Sequence, residues 1–205
     1  MTIHATTRAT FLGIAALALA ACAKKDNNAA DTTAASSTVT GDTSAMAAGN
    51  AGTSTSGNWS DANIVALLDE ANAADSAAGA IAATKGTAAA VRDFARRMMR
   101  DHHQLRAEGA ALAKKLNVTP SAPADDPLPA AAQGETNTLN TTAKGKDFDK
   151  AYIDAEVDGH KKVLDLATKA AAQTQNAELK NLIQKAAPVI QGHLDKAESI
   201  QKTLK

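Results

Sequence analysis

From residue 61 to the C-terminus, apolar residues return every three or four positions in four separate stretches. That is the spacing of helices that bury one face. The first places Ile64, Leu67, Leu68, Ala71, Ala78 and Ala82 on one side, with Asp75 interrupting the stripe, and ends near Lys85-Gly86. Asp61 is its expected cap. The second runs from about Thr87 to Asn117, aligns Val91, Phe94, Met98, His102, Leu105, Leu112 and Leu116, and stops before Pro120. Asp147 opens the third, through about Gln173, with Phe148, Tyr152, Ile153, Glu156, His160, Leu164 and Ala167 inward. Asn176 caps the fourth, whose inner positions are Leu179, Leu182, Ile183, Ala186, Val189, Ile190, His193, Ala197 and Ile200. Between the second and third, Pro120, Pro123, Pro127 and Pro129 mark a crossover through about residue 146, with room for a helical turn around Leu139. Four amphipathic helices with one long crossover predict an all-α fold, a four-helix bundle over residues 61–205.

The N-terminal third follows a different pattern. Phe11 to Ala20 is an apolar run behind a short polar segment containing Arg8, too short to span a bilayer. Leu19-Ala20-Ala21-Cys22 follows, which matches the lipobox of bacterial lipoproteins. Residues 1–21 therefore read as a signal peptide and Cys22 as the lipidated residue, the anchor being lipid rather than a spanning helix. Ala23 after the cysteine favours the periplasmic face of the outer membrane. From there to residue 60 the chain is chiefly Ala, Thr, Ser, Gly, Asn and Asp, which cannot bury enough surface to offset its ordering entropy. It reads as a disordered tether reaching a few tens of Å from the bilayer.

Composition narrows the function. Basic and acidic residues balance at 22 each with no basic stripe, which argues against nucleic acid as a partner. A single cysteine excludes internal disulfides and any CxxC metal site. There is no glycine-rich phosphate loop and no nucleophile elbow, so nothing names a catalytic residue. His103 and the run Arg92, Asp93, Arg96, Arg97 and Arg100 read as a solvated face, and Met98 and Met99 as core and rim filler.

The chemistry that remains is imidazole and carboxylate. His102, His160 and His193 fall on the apolar faces of three different helices, each with an acid beside it or one turn away. Burying a histidine without partners is costly, so three converging on one core imply either a metal site or a shared hydrogen-bonded network. Glu156 and His160 are four apart and share a helical face. Asp101 precedes His102, and 100° of rotation per residue keeps both from pointing straight inward, so one would touch a ligand and the other support it. Asp75 on the first helix is the natural further contributor, since a buried carboxylate needs a cation or a donor. Pro188, five residues before His193, frees the Gln184 carbonyl and is a place for a kink.

Three segments carry a family resemblance: Phe94-Ala-Arg-Arg-Met-Met-Arg-Asp-His102, Phe148-Asp-Lys-Ala-Tyr-Ile-Asp-Ala-Glu-Val-Asp-Gly-His160 and Pro188-Val-Ile-Gln-Gly-His193-Leu. They resemble the signature segments of the DUF4142 family, envelope proteins with a ferritin-like bundle. The resemblance covers nearly everything after the tether and implies that fold and the acid and histidine set, with no established activity. Asp75, four residues before Gly79, stands where the family tends to carry Glu. Ferritin-like diiron proteins place a Glu-x-x-His pair on each of two helices. Here Glu156 and His160 are spaced by four and Ile190 lies three before His193, so two irons are poorly served. Two readings follow. The first is a tethered lipoprotein, not an enzyme, whose bundle contacts envelope partners. The alternative is a metalloprotein holding a single zinc, copper or iron through Asp75, Asp101, His102, Glu156, His160 and His193, as a buffer or in a redox role.

Overall fold

The computed structural model describes residues 57–204. The signal segment, Cys22 and most of the tether lie outside the described residues. Among those described the protein is all-helical, with five helices and no strand: α1 (Asp61–Lys85), α2 (Ala89–Lys115), α3 (Leu128–Thr141), α4 (Lys146–Gln173) and α5 (Ala177–Thr203). None is long and apolar enough to cross a membrane.

The four periodic stretches are α1, α2, α4 and α5. α3 is the addition. The prolines that read as breakers begin it instead: Pro129 sits in its first turn, where a missing N–H goes unnoticed, and Asp126 Oδ1 accepts from the Leu128 N–H at 2.9 Å. Its one buried residue, Leu139, is wholly enclosed.

Two other expectations shift. Ser60, not Asp61, caps α1, through a capping box with Asn63, while Asp61 accepts a hydrogen bond from Thr174 Oγ1 at 2.6 Å. The packed domain therefore reaches into the stretch assigned to the tether. Trp59 is buried, its backbone N–H donates to Gln173 Oε1 at 2.6 Å and the Lys169 ammonium stands 4.1 Å from its ring. Val189 is exposed instead of inward, because its neighbour Ile190 takes the core direction and one residue's rotation turns Val189 away. Pro188 is accommodated within a continuous α5.

α2 has no cap of its own. Ala88 stands at the position, and the buried Asp149 of α4 supplies the acceptors, taking the Thr87 and Ala88 N–H groups at 2.8 and 2.7 Å.

Side-chain pairs give the helix directions. Gly79 meets Ala95, Asn72 meets His102 and Asp69 meets Arg106, so α1 and α2 run antiparallel. Asp101 meets His193 and Lys115 meets Glu178, which makes α2 and α5 antiparallel as well. Asp154 with Gln201 and Lys161 with Glu198 do the same for α4 and α5. Lys85 over Phe148, with Asp61 on Thr174, closes the ring by setting α1 against α4. α3 carries the chain along this ring on α1 and α4, so that α4 begins where α2 began.

The interior is not uniform. One apolar cluster gathers Ala82, Val91, Phe94, Met98, Phe148, Tyr152 and Ile200, and a second gathers Trp59, Ile64, Leu67, Ala113, Leu179 and Ile183. Between them each long helix turns polar: Asn72 and Asp75 on α1, His102 on α2, Glu156 and His160 on α4, and His193 on α5.

Candidate metal centre

Each of the three histidines is at most 1% exposed, and their ring centroids stand 5.2, 5.4 and 5.6 Å apart. One ring nitrogen from each lies within 4.8 Å of those from the other two. The helical period put them on inward faces, and antiparallel packing brought three inward faces to one height.

The hydrogen bonds assign the protons. Asn72 Nδ2 donates to the Leu68 carbonyl at 2.6 Å, which turns its Oδ1 toward His102 Nδ1, 2.7 Å away. That nitrogen must carry the proton, so Nε2 holds a lone pair. His160 Nδ1 donates to the Glu156 carbonyl at 2.9 Å, again leaving Nε2 as the lone pair. His193 Nε2 donates to Asp101 Oδ2 at 3.0 Å, leaving Nδ1. These three leftover nitrogens are all buried and all without a hydrogen-bond partner. Each ring is thus oriented by one nitrogen and offers the other, the arrangement found where an acceptor behind a metal-binding imidazole takes its N–H and fixes its tautomer. Asp101 belongs to that supporting role. It lies beside Arg97 and Arg100 and holds the ring of α5, not that of its neighbour His102.

The electrostatics point the same way. Burial, with the neighbouring rings, pushes His102 down to about 3 from its ordinary 6.5, and burial takes His160 down to about 4. His193 is lowered too, mainly by burial. All three are neutral at neutral pH, as ligation requires. The acids move oppositely. Asp75 is pushed up to about 7 by burial and then by Glu135, and Glu156 is raised well above its ordinary value by burial and by Asp75. Neither oxygen of Glu156 has a hydrogen-bond partner, although the residue is 2% exposed.

Asp75 Oδ2 stands 3.5 Å from His102 Nε2, and Glu156 Oε2 stands 3.3 Å from His160 Nδ1. Asp75, Glu156 and His160 form a second set whose ligand atoms lie within 4.8 Å of one another, so His160 belongs to both. The chain carries this cluster within a matched segment: a model for the domain of unknown function DUF4142 covers residues 42–200. The chain belongs to the DUF4142 family. No curated protein and no solved structure matches it.

In this DUF4142 domain five of the six expected site residues, Asp75, His102, Glu156, His160 and His193, converge directly. The sixth, Asp101, supports from behind. His103 is exposed, Met98 is core and Met99 half-buried. Three neighbours escaped the sequence reading. Asn72 lies one turn before Asp75 on the same face, and a polar residue there is a readable signal. Tyr152 is placed correctly in the core, yet its hydroxyl faces the Glu156 carboxyl, and it is held protonated chiefly by burial and then by the charge of Glu156. Glu135 comes from α3, raised by burial, and no periodicity in the crossover could have tied it to Asp75.

Proposed function

We propose that this DUF4142 domain is a ferritin-like four-helix bundle whose task is to hold one divalent transition-metal ion, zinc, copper or iron, at the surface of an envelope membrane. The bundle reading is supported by four long helices that each run antiparallel to their neighbours, with the single long crossover between α2 and α4.

One observation carries the metal reading: three buried imidazoles, each with an outward N–H engaged and a bare lone pair left over. When no two of three points are more than 4.8 Å apart, some position lies within about 2.8 Å of all of them, so the rings need to close by under about 1 Å to reach ligation distances near 2.0–2.1 Å. Asp75 is the fourth ligand in this reading. Its 3.5 Å spacing from His102 Nε2 is close to the edge of a tetrahedron with such bonds. Glu156 supplies the second negative charge, so the ion with two carboxylates and three neutral imidazoles is electrically neutral in a buried place. Two irons are not favoured, because α5 offers no carboxylate three residues before His193.

The address is proposed from the lipobox: Cys22 carries the anchor, and the tether holds the domain near the membrane and whatever envelope proteins it meets there. Replacing Cys22 by Ser is expected to release the protein from the membrane fraction.

Elemental analysis of protein purified without a histidine tag tests the site. About one equivalent of metal in the wild type, lost in the double variant H160A/H193A, is the expected result. Metal-free wild type whose melting temperature does not move with zinc, copper or iron would leave the histidines as a hydrogen-bonded core layer in a binding module.

A further inference from the structure

Immediately beside the histidine layer lies a cavity of about 460 Å³. Its position follows from the antiparallel ring. Asn72 precedes Asp75 by three residues, Leu105 follows His102 by three, Val163 follows His160 by three, and Ile190 precedes His193 by three. All four line the cavity. Three residues are about 4.5 Å along a helix, so the chamber sits one turn from the histidines on every long helix and on the same side.

The walls are aliphatic. Leu105, Val163 and Leu182 line it and are only half-buried, so part of each side chain faces the open space. No aromatic ring lines the space. Protein interiors leave few voids larger than a water molecule, and an apolar void of about 150 Å³ already takes up benzene. A chamber three times larger matches a chain of roughly ten carbons. It opens to solvent past the exposed Ala110, Pro120 and Ala122.

Its polar residues describe the head group. Arg106 is held by Asp69 through two hydrogen bonds, at 2.8 and 3.1 Å, so among the described lining residues the cation at the rim is already paired with an acid. Asn72 spends its amide on Leu68 and its oxygen on His102. Glu70 adds a second acid, raised to about 7 chiefly by its hydrogen bond with the neighbouring Asp126, so these two carboxyls share a proton. A carboxylate or phosphate entering here meets Asp69, Glu70 and Asp126 against the Arg106 guanidinium, so a negative charge is disfavoured. A hydroxyl can donate to those oxygens.

We propose that this cavity is a binding site for an aliphatic lipid-like molecule with an uncharged, hydroxyl-bearing head, its chain lying along Leu105, Val163 and Ile190. The site stands whether or not the histidines hold metal, so it is tested on the metal-free full chain. Calorimetric titration with decanol is expected to show saturable binding at one site, with a Kd below about 1 mM, and decanoate at least tenfold weaker. A186F fills the chamber, and A110W blocks its mouth from an exposed position that does not touch the core. Each should weaken decanol binding at least tenfold while the protein keeps its helical content. Absence of saturable binding in the wild type, or unchanged binding in both variants, overturns the site. Decanoate binding as tightly as decanol overturns the head-group assignment.

Discussion

Replacing Asp75 by Asn removes one buried acid while keeping its shape, and the consequence should depend on pH with a definite sign. In the folded, metal-free protein Asp75 sits at about 7, against an ordinary 3.8, and its side chain is only 14% exposed. Between those values the folded state holds a proton that the unfolded state has released. The contribution is therefore full below pH 3.8 and is lost as pH rises through 7. At about 1.4 kcal/mol per pH unit, the part lost between pH 5 and 8 is roughly 2–3 kcal/mol. The histidines work in the opposite direction. His102 near 3 and His160 near 4 stay neutral in the fold while the unfolded chain takes up protons below 6.5, so their contribution is lost as pH falls below that value. From pH 5 to 6.5 the two trends oppose one another in the wild type. D75N keeps the contributions of the histidines and of the other buried acids and loses that of Asp75, so its stability should rise relative to wild type from pH 5 to 8. Urea unfolding of chelator-treated protein at pH 5, 6.5 and 8 measures this directly. The advantage of D75N over wild type should grow by roughly 2–3 kcal/mol across that range. Parallel profiles would refute the assignment of Asp75 as a buried, destabilised carboxylate.

Three further outcomes are expected. Zinc at a hundredfold excess over its Kd should stabilise the wild type by about 2.7 kcal/mol, which for a domain near 150 residues is a melting-temperature rise of roughly 5–11 °C; H193A should show little of it by calorimetry. A Cβ on Gly79 would stand 2.9 Å from the Ala95 carbonyl oxygen, so G79A should destabilise by about 1 kcal/mol despite its better helix propensity, whereas G159A, with nothing within 4 Å, should stabilise by about 0.5–1 kcal/mol in the same denaturation assay. D149A should cost about 2–4 kcal/mol, read from thermal unfolding, because it leaves the Thr87 and Ala88 N–H groups at the start of α2 without their acceptor; D149N, which keeps one acceptor oxygen, should cost less.

The four long helices were legible because each buries one face, and a face repeats with the period of the helix. That same period placed His102, His160 and His193 inward. It could not say at which height one helix meets the next. Axial register comes from connections such as residues 86–88 and 174–176 and from close contacts such as Gly79 on α2. The partnership of Asp101 with His193, across two helices and 92 positions, was therefore invisible, although Asp101 itself was singled out. The start of α2 shows the same limit. Its cap is Asp149, brought in from α4, and no local pattern names an acceptor 61 or 62 residues away.

What the chain alone determined is an all-helical domain and a short roll of acids and imidazoles on buried faces. These are local properties, set by residue type and by a rotation of 100° per residue. Tertiary packing decided which nitrogen of each imidazole keeps its proton, that Asn72 and Glu135 join the site, that residues 128–141 of the crossover form a helix, and that one turn beyond the histidines the interior is left unfilled. Those depend on distances between side chains of different helices, which exist only once the helices have settled against one another.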